Sequence, residues 1–553
     1  MARDSQAALI ALNRFGFGAR GGAAGDFINA ASDPRGFVLT ELARPNGALL
    51  EVPGLLSTPE LGKQVFDYQF EIQQERNAAK AAQQGASEMP PQGSDAKPQP
   101  RRNLSLSSAA KEIAAKDPAM QSADNANAAM TLPAAMQPPT MQTMANPPKP
   151  PTEPPNIIQK TFRAEALARL QRGVIADCGF AERLVVFWSN HFCISANKGA
   201  LARMWAGSFE REAIRPHVLG RFADMLKAVE QHPAMLFFLD NQQSLGPESR
   251  AGINRHRGLN ENLAREIMEL HTMGVGSGYT QADVEALARI LTGVGIDFKS
   301  EDPKLKPEQQ SQLVREGAFE FNPARHDFGD KAFLGHQIKG RGLAEVDEAL
   351  DILCHHPATA THIAKQLATY FVSDNPPPAL VQQMAQTFQK TDGDIAAVMS
   401  TLVHAPEFTA SLKGGAKFKD PMLYVMSSVR LAYDNKVILN TLPIQGWLNR
   451  LSEGLFNHET PDGYSMLSAA WNGPGQMMLR FEIARAIGSG SAGLFKPNEP
   501  NAVDQPAFPL VMNGLYFSNI RQTLSPTTLA ALDQAVSPQD WNTLFLSSPE
   551  FMH

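Results

Sequence analysis

From residue 156 onward, apolar residues recur at three- and four-residue steps with polar residues between them. The segments "TFRAEALARLQRGVI", "AERLVVFWSNHF", "SFEREAIRPHV", "RFADMLKAVEQ", "NENLAREIMELHTM", "QADVEALARILTG", "VDEALDILCHH", "ATATHIAKQLATYFV" and "ALVQQMAQTFQKT" all keep that spacing, which winds apolar side chains onto one face of an α-helix. Alternating, strand-like runs are scarce, so the pattern predicts an all-α protein, a multi-helix globular bundle. Start and stop signals agree with it. In "YTQADVEALARILTG", Thr280 and Asp283 are spaced as a variant capping box and Gly293 follows as the stop. The "HPAM" and "HPAT" openings at His232 and His356 place proline at a first helical position, a shared starting device.

Between Asn77 and Pro155 the pattern fails. That stretch is rich in Ala, Gln, Pro and Met and ends in "MANPPKPPTEPP". It has too few large apolar side chains to offset its ordering entropy, so a long disordered insertion is expected there. Its methionines are irregularly spaced and lack His or Cys neighbours, which argues against a soft-metal site. The chain has 553 residues, 43% of them hydrophobic, more than one core usually accommodates. The expected organisation is an N-terminal helical segment over 1–76 packed on the main body, the insertion over 77–155, a main helical domain over 156–415 carrying the candidate site, and a C-terminal helical region over 416–553.

A formal net charge of -6 and the lack of Lys/Arg runs exclude the basic footprint of a nucleic-acid binder. No apolar run approaches the ~20 residues of a transmembrane helix. "MARDSQAALIALNRFGFGAR" has neither the apolar region nor the cleavage site of a signal peptide, so a cytoplasmic location is the expectation. Cys178, Cys193 and Cys354 are too few and scattered for a disulfide framework or a cysteine zinc site, and read as buried apolar residues.

"GFGARG" matches G-x-G-x-x-G at Gly16, Gly18 and Gly21, but the segment before it is helical and no strand–turn–helix context comes after it. A helix stop with a turn is the better reading. Residues 258–274, "GLNENLAREIMELHTMG", carry the densest candidate chemistry. With Asn260 as N-cap, Leu263, Ile267 and Leu270 form a core stripe and Asn262, Glu266 and Glu269 a polar stripe beside it. Arg265 is spaced to bridge Glu261 and Glu269, so a solvated, salt-bridged helix is one reading. Carboxylates at a core edge beside an arginine are also the opposed tuning that acid/base chemistry uses. Other segments end in polar pairs: Asn190 and His191, Asp240 and Asn241, His326 and Asp327.

The segments "LNRFGFG", "FWSNHF", "HPAMLFFLDN", "NENLAREIMELHTMGVGSGYTQADVEALARILTG", "HDFGDKAFLG" and "HPATATHIAKQLATYFV" together resemble the bacterial domain-of-unknown-function family 1800 across nearly the whole chain outside the insertion. The resemblance implies a bacterial, mainly helical protein and brings no activity, cofactor or catalytic residue. It also implies a gene neighbourhood with Tat-exported, sulfatase-like enzymes, hence a partner and escorted export to the periplasm. Two readings result. One is an acid/base or metal-assisted hydrolase of a glycan or ester with an interhelical pocket. In it Glu266, Glu269, Arg265 and His191 act in catalysis and Asn190, Asp240, Asn241 and Asn262 bind substrate. Glu266, Asp240, His326 and Asp327 would hold a divalent metal ion, hard by its ligand set. The other is a non-catalytic helical partner or escort of a co-encoded exported enzyme, which requires Glu266 to be tied up in a salt bridge and an apolar patch to be exposed.

Overall fold

The computed structural model describes residues 5–85, 156–410 and 417–553, apart from 22–24, 45, 256–257, 298–302, 498–501, 504, 506, 510, 513 and 514. Of the chain, 59% is helical and 4% strand, so the class is all-α. The expected insertion lies from residue 86 on outside the described residues, and its first residues instead continue the helix Thr58–Gly85. One buried cluster takes in side chains from Ala8 to Met552. Cys178, Cys193 and Cys354 are free and buried, with burial raising their thiols. No described helix is long and apolar enough to cross a membrane.

Two helices lie at the centre. Pro421–Tyr433 is buried at every residue, as a helix without a polar stripe must be. Its one arginine explains how the N-terminal segment is held. Arg430 donates to the carbonyls of Gly18 (2.9 Å), Gly173 (2.8 Å), Val174 (2.7 Å), Ala176 (2.7 Å) and Asp177 (3.0 Å). The guanidinium therefore closes the C-terminal end of the helix Ile157–Ile175, where carbonyls lack intrahelical partners. The "GFGARG" turn packs backbone to backbone against the same region. A Cβ on Gly16 would meet the Cys178 carbonyl at 2.2 Å, and one on Gly21 the Leu431 carbonyl at 1.9 Å. The helix and π-turn that precede it, Ser5–Ile10 and Ala11–Phe15, agree with the helix-stop reading.

The second central helix, Phe180–His191, buries Phe180, Leu184, Val185, Phe187 and Trp188. Its Glu182 receives both Nη atoms of the fully buried Arg215, at 2.9 Å each. Arg215 also pairs with Glu210 at 2.9 Å, and Glu210 with Arg169 at 3.1 Å. This alternation of charge ties the 157–175 and 180–191 helices to the π-turn Glu210–Ile214.

The capping box of Thr280 and Asp283 is present on the helix Gln281–Ile290, which ends before Gly293 at φ 87°. His232 and His356 each cap a helix that starts on proline, accepting from the backbone N–H two residues on. The stretch after residue 293 was not legible as strands. Val294–Ile296, Phe319–Phe321 and Val314–Glu316 form a three-stranded antiparallel sheet with the Phe319–Phe321 strand central, and Lys331–Phe333 pairs with His336–Ile338. Each strand has three residues, too short to display a period of two.

Candidate functional site

Residues 258–274 do not form the uniform helix that the spacing predicts. Asn260 is not its N-cap: its amide nitrogen donates to the carbonyls of Leu239 (3.1 Å) and Asp240 (3.0 Å), and Glu261 occupies the cap. The α-helix covers only Asn262–Glu266 and then widens into a π-turn, Ile267–His271. Thr272 Oγ1 donates to the Ile267 carbonyl at 2.6 Å, serving an acceptor that the wider turn frees. The extra residue in the turn rotates the side chains beyond it. Leu263 and Ile267 are core as expected, but Leu270 is only half-buried while Met268 and His271 turn inward.

On the outer face the i, i+4 arithmetic holds. Arg265 bridges Glu261 and Glu269 at 3.1 Å each and also donates to Gln281 at 3.0 Å. Glu266 stands apart. It is half-buried and makes no hydrogen bond or ion pair among the described residues. Burial raises its carboxyl above the ordinary glutamate value; Glu269 and Asp462 push the same way, and His271 and Arg265 oppose them. Asp462 reaches this neighbourhood because Gly463, at φ 69°, presses its backbone against the end of the 180–191 helix, where a Cβ would meet the Asn190 carbonyl at 2.3 Å. Asn190 locks that approach, accepting from the Tyr464 N–H (2.7 Å) and donating to its carbonyl (2.9 Å).

Beneath Glu266 lies a buried layer of histidines. The His271 Nδ1–H donates to Glu230 Oε1 at 2.7 Å. That contact fixes Nε2 as the free nitrogen, and both it and Glu230 Oε2 are buried without partners among the described residues. His191 Nε2 lies 3.1 Å from the His271 carbonyl and its Nδ1 2.7 Å from the Gln366 amide. Burial, with His271 and His362 adding to it, lowers the His191 imidazole to about 3, so the ring is neutral. Gln366 Oε1 is the atom that faces His191 Nδ1, and Gln366 Nε2 lies 2.9 Å from His362 Nε2, which also approaches the Leu270 carbonyl at 3.2 Å.

This neutrality has a measurable cost in acid. The folded value lies below the unfolded one, so stability is complete above about pH 6.5 and is lost as pH falls toward 3. Urea unfolding at pH 7 and pH 4.5 should show a loss smaller by roughly 2 kcal/mol in His191→Gln than in wild type. An equal loss in both would mean that His191 stays charged inside the fold.

The other expected site residues are placed elsewhere. Asp240, in a left-handed conformation at φ 59°, pairs with Lys198 at 2.7 Å. Asn241 is fully buried and donates to the carbonyls of Leu291 (3.2 Å) and Val294 (2.9 Å), joining the 281–290 helix to the sheet. Asn262 is exposed. His326 is buried with Nδ1 2.6 Å from the Thr292 carbonyl and Nε2 2.9 Å from Glu345, while Asp327 pairs with Arg289 at 2.8 Å. The metal set of Glu266, Asp240, His326 and Asp327 is thus not brought together, because each member but Glu266 is taken by a local partner. Among the described residues no group of three or more His, Cys, Asp or Glu side chains is arranged to hold a metal ion. The structure adds Glu230, His271, His362 and Asp462 to the neighbourhood of Glu266 and His191. Of these only His271 lay in the stretch read as candidate chemistry; Glu230 and His362 lay in segments read only as helices.

The fold and site define an all-α bundle with a layer of histidines next to a half-buried glutamate that has no partner among the described residues and ends the α-helix leading into a π-turn. The chain belongs to the family described as "Protein of unknown function (DUF1800)", whose model matches residues 10–553. No curated protein and no solved structure matches it.

Proposed function

We propose that the protein is a hydrolase of the acid/base kind, acting on a glycan or ester, with Glu266 as the proton-transfer group. The observation that carries the reading is that Glu266 is half-buried, held above the ordinary carboxyl range and left without a partner, while neighbouring Glu261 and Glu269 are both taken by Arg265. A carboxyl raised in this way keeps its proton to higher pH than an ordinary glutamate and can deliver it to a leaving oxygen. Glu230 and His271 lie behind it as an oriented carboxylate–imidazole pair whose free Nε2 can relay a proton. Arg265 remains the group that would orient an anionic part of the substrate. Among the described residues the metal-assisted variant has no ligand set in support.

The escort reading, with a sulfatase-like exported enzyme as partner and the periplasm as workplace, draws on one feature. Met478 (70% exposed) and Phe481 (46%) stand one turn apart on the helix Pro474–Gly488. Its other requirement, a salt-bridged Glu266, is unmet. The test is turnover of chromogenic glycosides and esters by wild type and Glu266→Gln. The variant should keep its melting temperature and lose about 100-fold or more in kcat. Equal turnover in the two proteins would remove Glu266 from the chemistry.

A further inference from the structure

Outside the histidine layer, a pocket of about 230 Å³ opens between the helices Ile157–Ile175, Ala200–Phe209 and Leu442–Arg450. Its charged lining is Arg163 and Arg203, and among the described residues no carboxylate lines the pocket with them. Arg163 makes no hydrogen bond or ion pair among the described residues, and Arg203 reaches only the Asn197 amide oxygen at 3.3 Å. Nearby arginines behave differently: Arg169, Arg172 and Arg211 each hold a glutamate. Two half-buried guanidiniums with open donors in one concavity call for an anion.

The rest of the lining says what kind. Gln159, Gln445, Asn449 and Asn457 bring four amides, each able both to donate and to accept, which suits hydroxyl groups. Phe162, Leu442 and Leu455 supply apolar surface for the C–H face of a ring. The volume is below the range of drug-sized pockets and suits a single small ring.

The wall is also built under strain. Ser452 (φ 63°) and Phe456 (φ 51°) are non-glycine residues in the left-handed region. Phe456 is held there by the Ala196 N–H, which donates to its carbonyl at 2.7 Å, and by Arg169, 4.7 Å over its ring. Leu455 and Asn457, on either side, are thereby fixed in the pocket wall. Strain of this sort persists where surrounding structure enforces it and clusters at binding sites.

We infer that this pocket binds an anionic, hydroxyl-rich monosaccharide unit, with Arg163 and Arg203 on its carboxylate and the four amides on its hydroxyls. The inference stands independently of the role given to Glu266. Saturation-transfer NMR and calorimetry on the full chain with glucuronate, glucose and inorganic phosphate test it. Glucuronate should bind, with glucose and phosphate each about tenfold weaker or more. Arg163→Gln and Arg203→Gln should each weaken glucuronate about tenfold while leaving the melting temperature unchanged. Arg485→Gln, a change on an exposed helix face, should leave binding intact. Phosphate binding as tightly as glucuronate would reduce the site to a bare anion hole and overturn the inference. So would glucose binding equally well, failure of glucuronate to bind, or unaltered binding in both arginine variants.

Discussion

Glu345→Ala should lose about 3–5 kcal/mol of folding free energy, the range for removing one partner from a buried ion pair. Glu345 is fully buried in the first turn of the helix Leu343–His355. It accepts from the backbone N–H groups of Arg341 (2.6 Å) and Gly342 (2.7 Å), from His326 Nε2 (2.9 Å) and from Lys331 Nζ. Burial alone would raise its carboxyl, but the bonds from His326 and Lys331 overcome this and hold it below the ordinary value. His326 bridges the Thr292 carbonyl and Glu345 through its two ring nitrogens. Removing the carboxylate therefore strands the buried Lys331 ammonium, the His326 ring and two N–H groups at the helix start at once. Urea unfolding should show the loss, and Glu345→Ala combined with Lys331→Met should recover part of it. A single variant within 1 kcal/mol of wild type would mean that water reaches this cluster.

Lys419→Met should have the opposite sign and a strong pH dependence. Lys419 is buried, donates from Nζ to the Phe551 carbonyl at 2.6 Å and lies over the Phe551 ring. Burial first, then Arg480 and Arg183, lower its ammonium from 10.5 to about 7, with Asp420 opposing. The folded chain thus binds fewer protons than the unfolded chain between pH 7 and 10.5. Stability from this group rises with pH across that window by up to ~1.4 kcal/mol per pH unit. Below pH 7 the penalty is complete, at roughly 5 kcal/mol. The methionine variant should be several kcal/mol more stable than wild type near pH 6. Its advantage should shrink toward pH 9.5, where the neutral amine keeps its bond to Phe551 without opposition. Parallel stability–pH profiles for the two proteins would show that Lys419 stays charged when folded.

Legibility in the sequence followed the range of the interactions. The helices, the Thr280–Asp283 box and the histidine caps at 232 and 356 arise from neighbours within four residues, and so does the Arg265 bridge. A single chain displays those directly. The π-turn at Ile267–His271 does not announce itself, because apolar spacing of three and four residues fits it nearly as well as an α-helix. Leu270 was misplaced for that reason. The candidate site was half legible: Glu266 and His191 could be singled out as polar residues at core edges. The pairing of His271 with Glu230, across 41 positions, had no local signature. Asp240, at the end of an apolar run, pairs with Lys198, and His326 and Asp327, in a loop rich in turn residues, are held by Glu345 and Arg289; none of these pairings has a local signature. The fivefold carbonyl clasp of Arg430 was equally invisible, since its acceptors are backbone atoms with no residue identity.

The central claim is that Glu266 is a carboxyl without a partner among the described residues, which burial keeps protonated beyond the usual glutamate range. Its most direct test is a ¹³C titration of side-chain carboxyls in glutamate-labelled protein, wild type against Glu266→Gln. The signal missing from the variant should titrate above the ordinary glutamate midpoint. A midpoint at or below it would mean that Glu266 is solvated or ion-paired in solution, and the acid/base reading would lose its carrier.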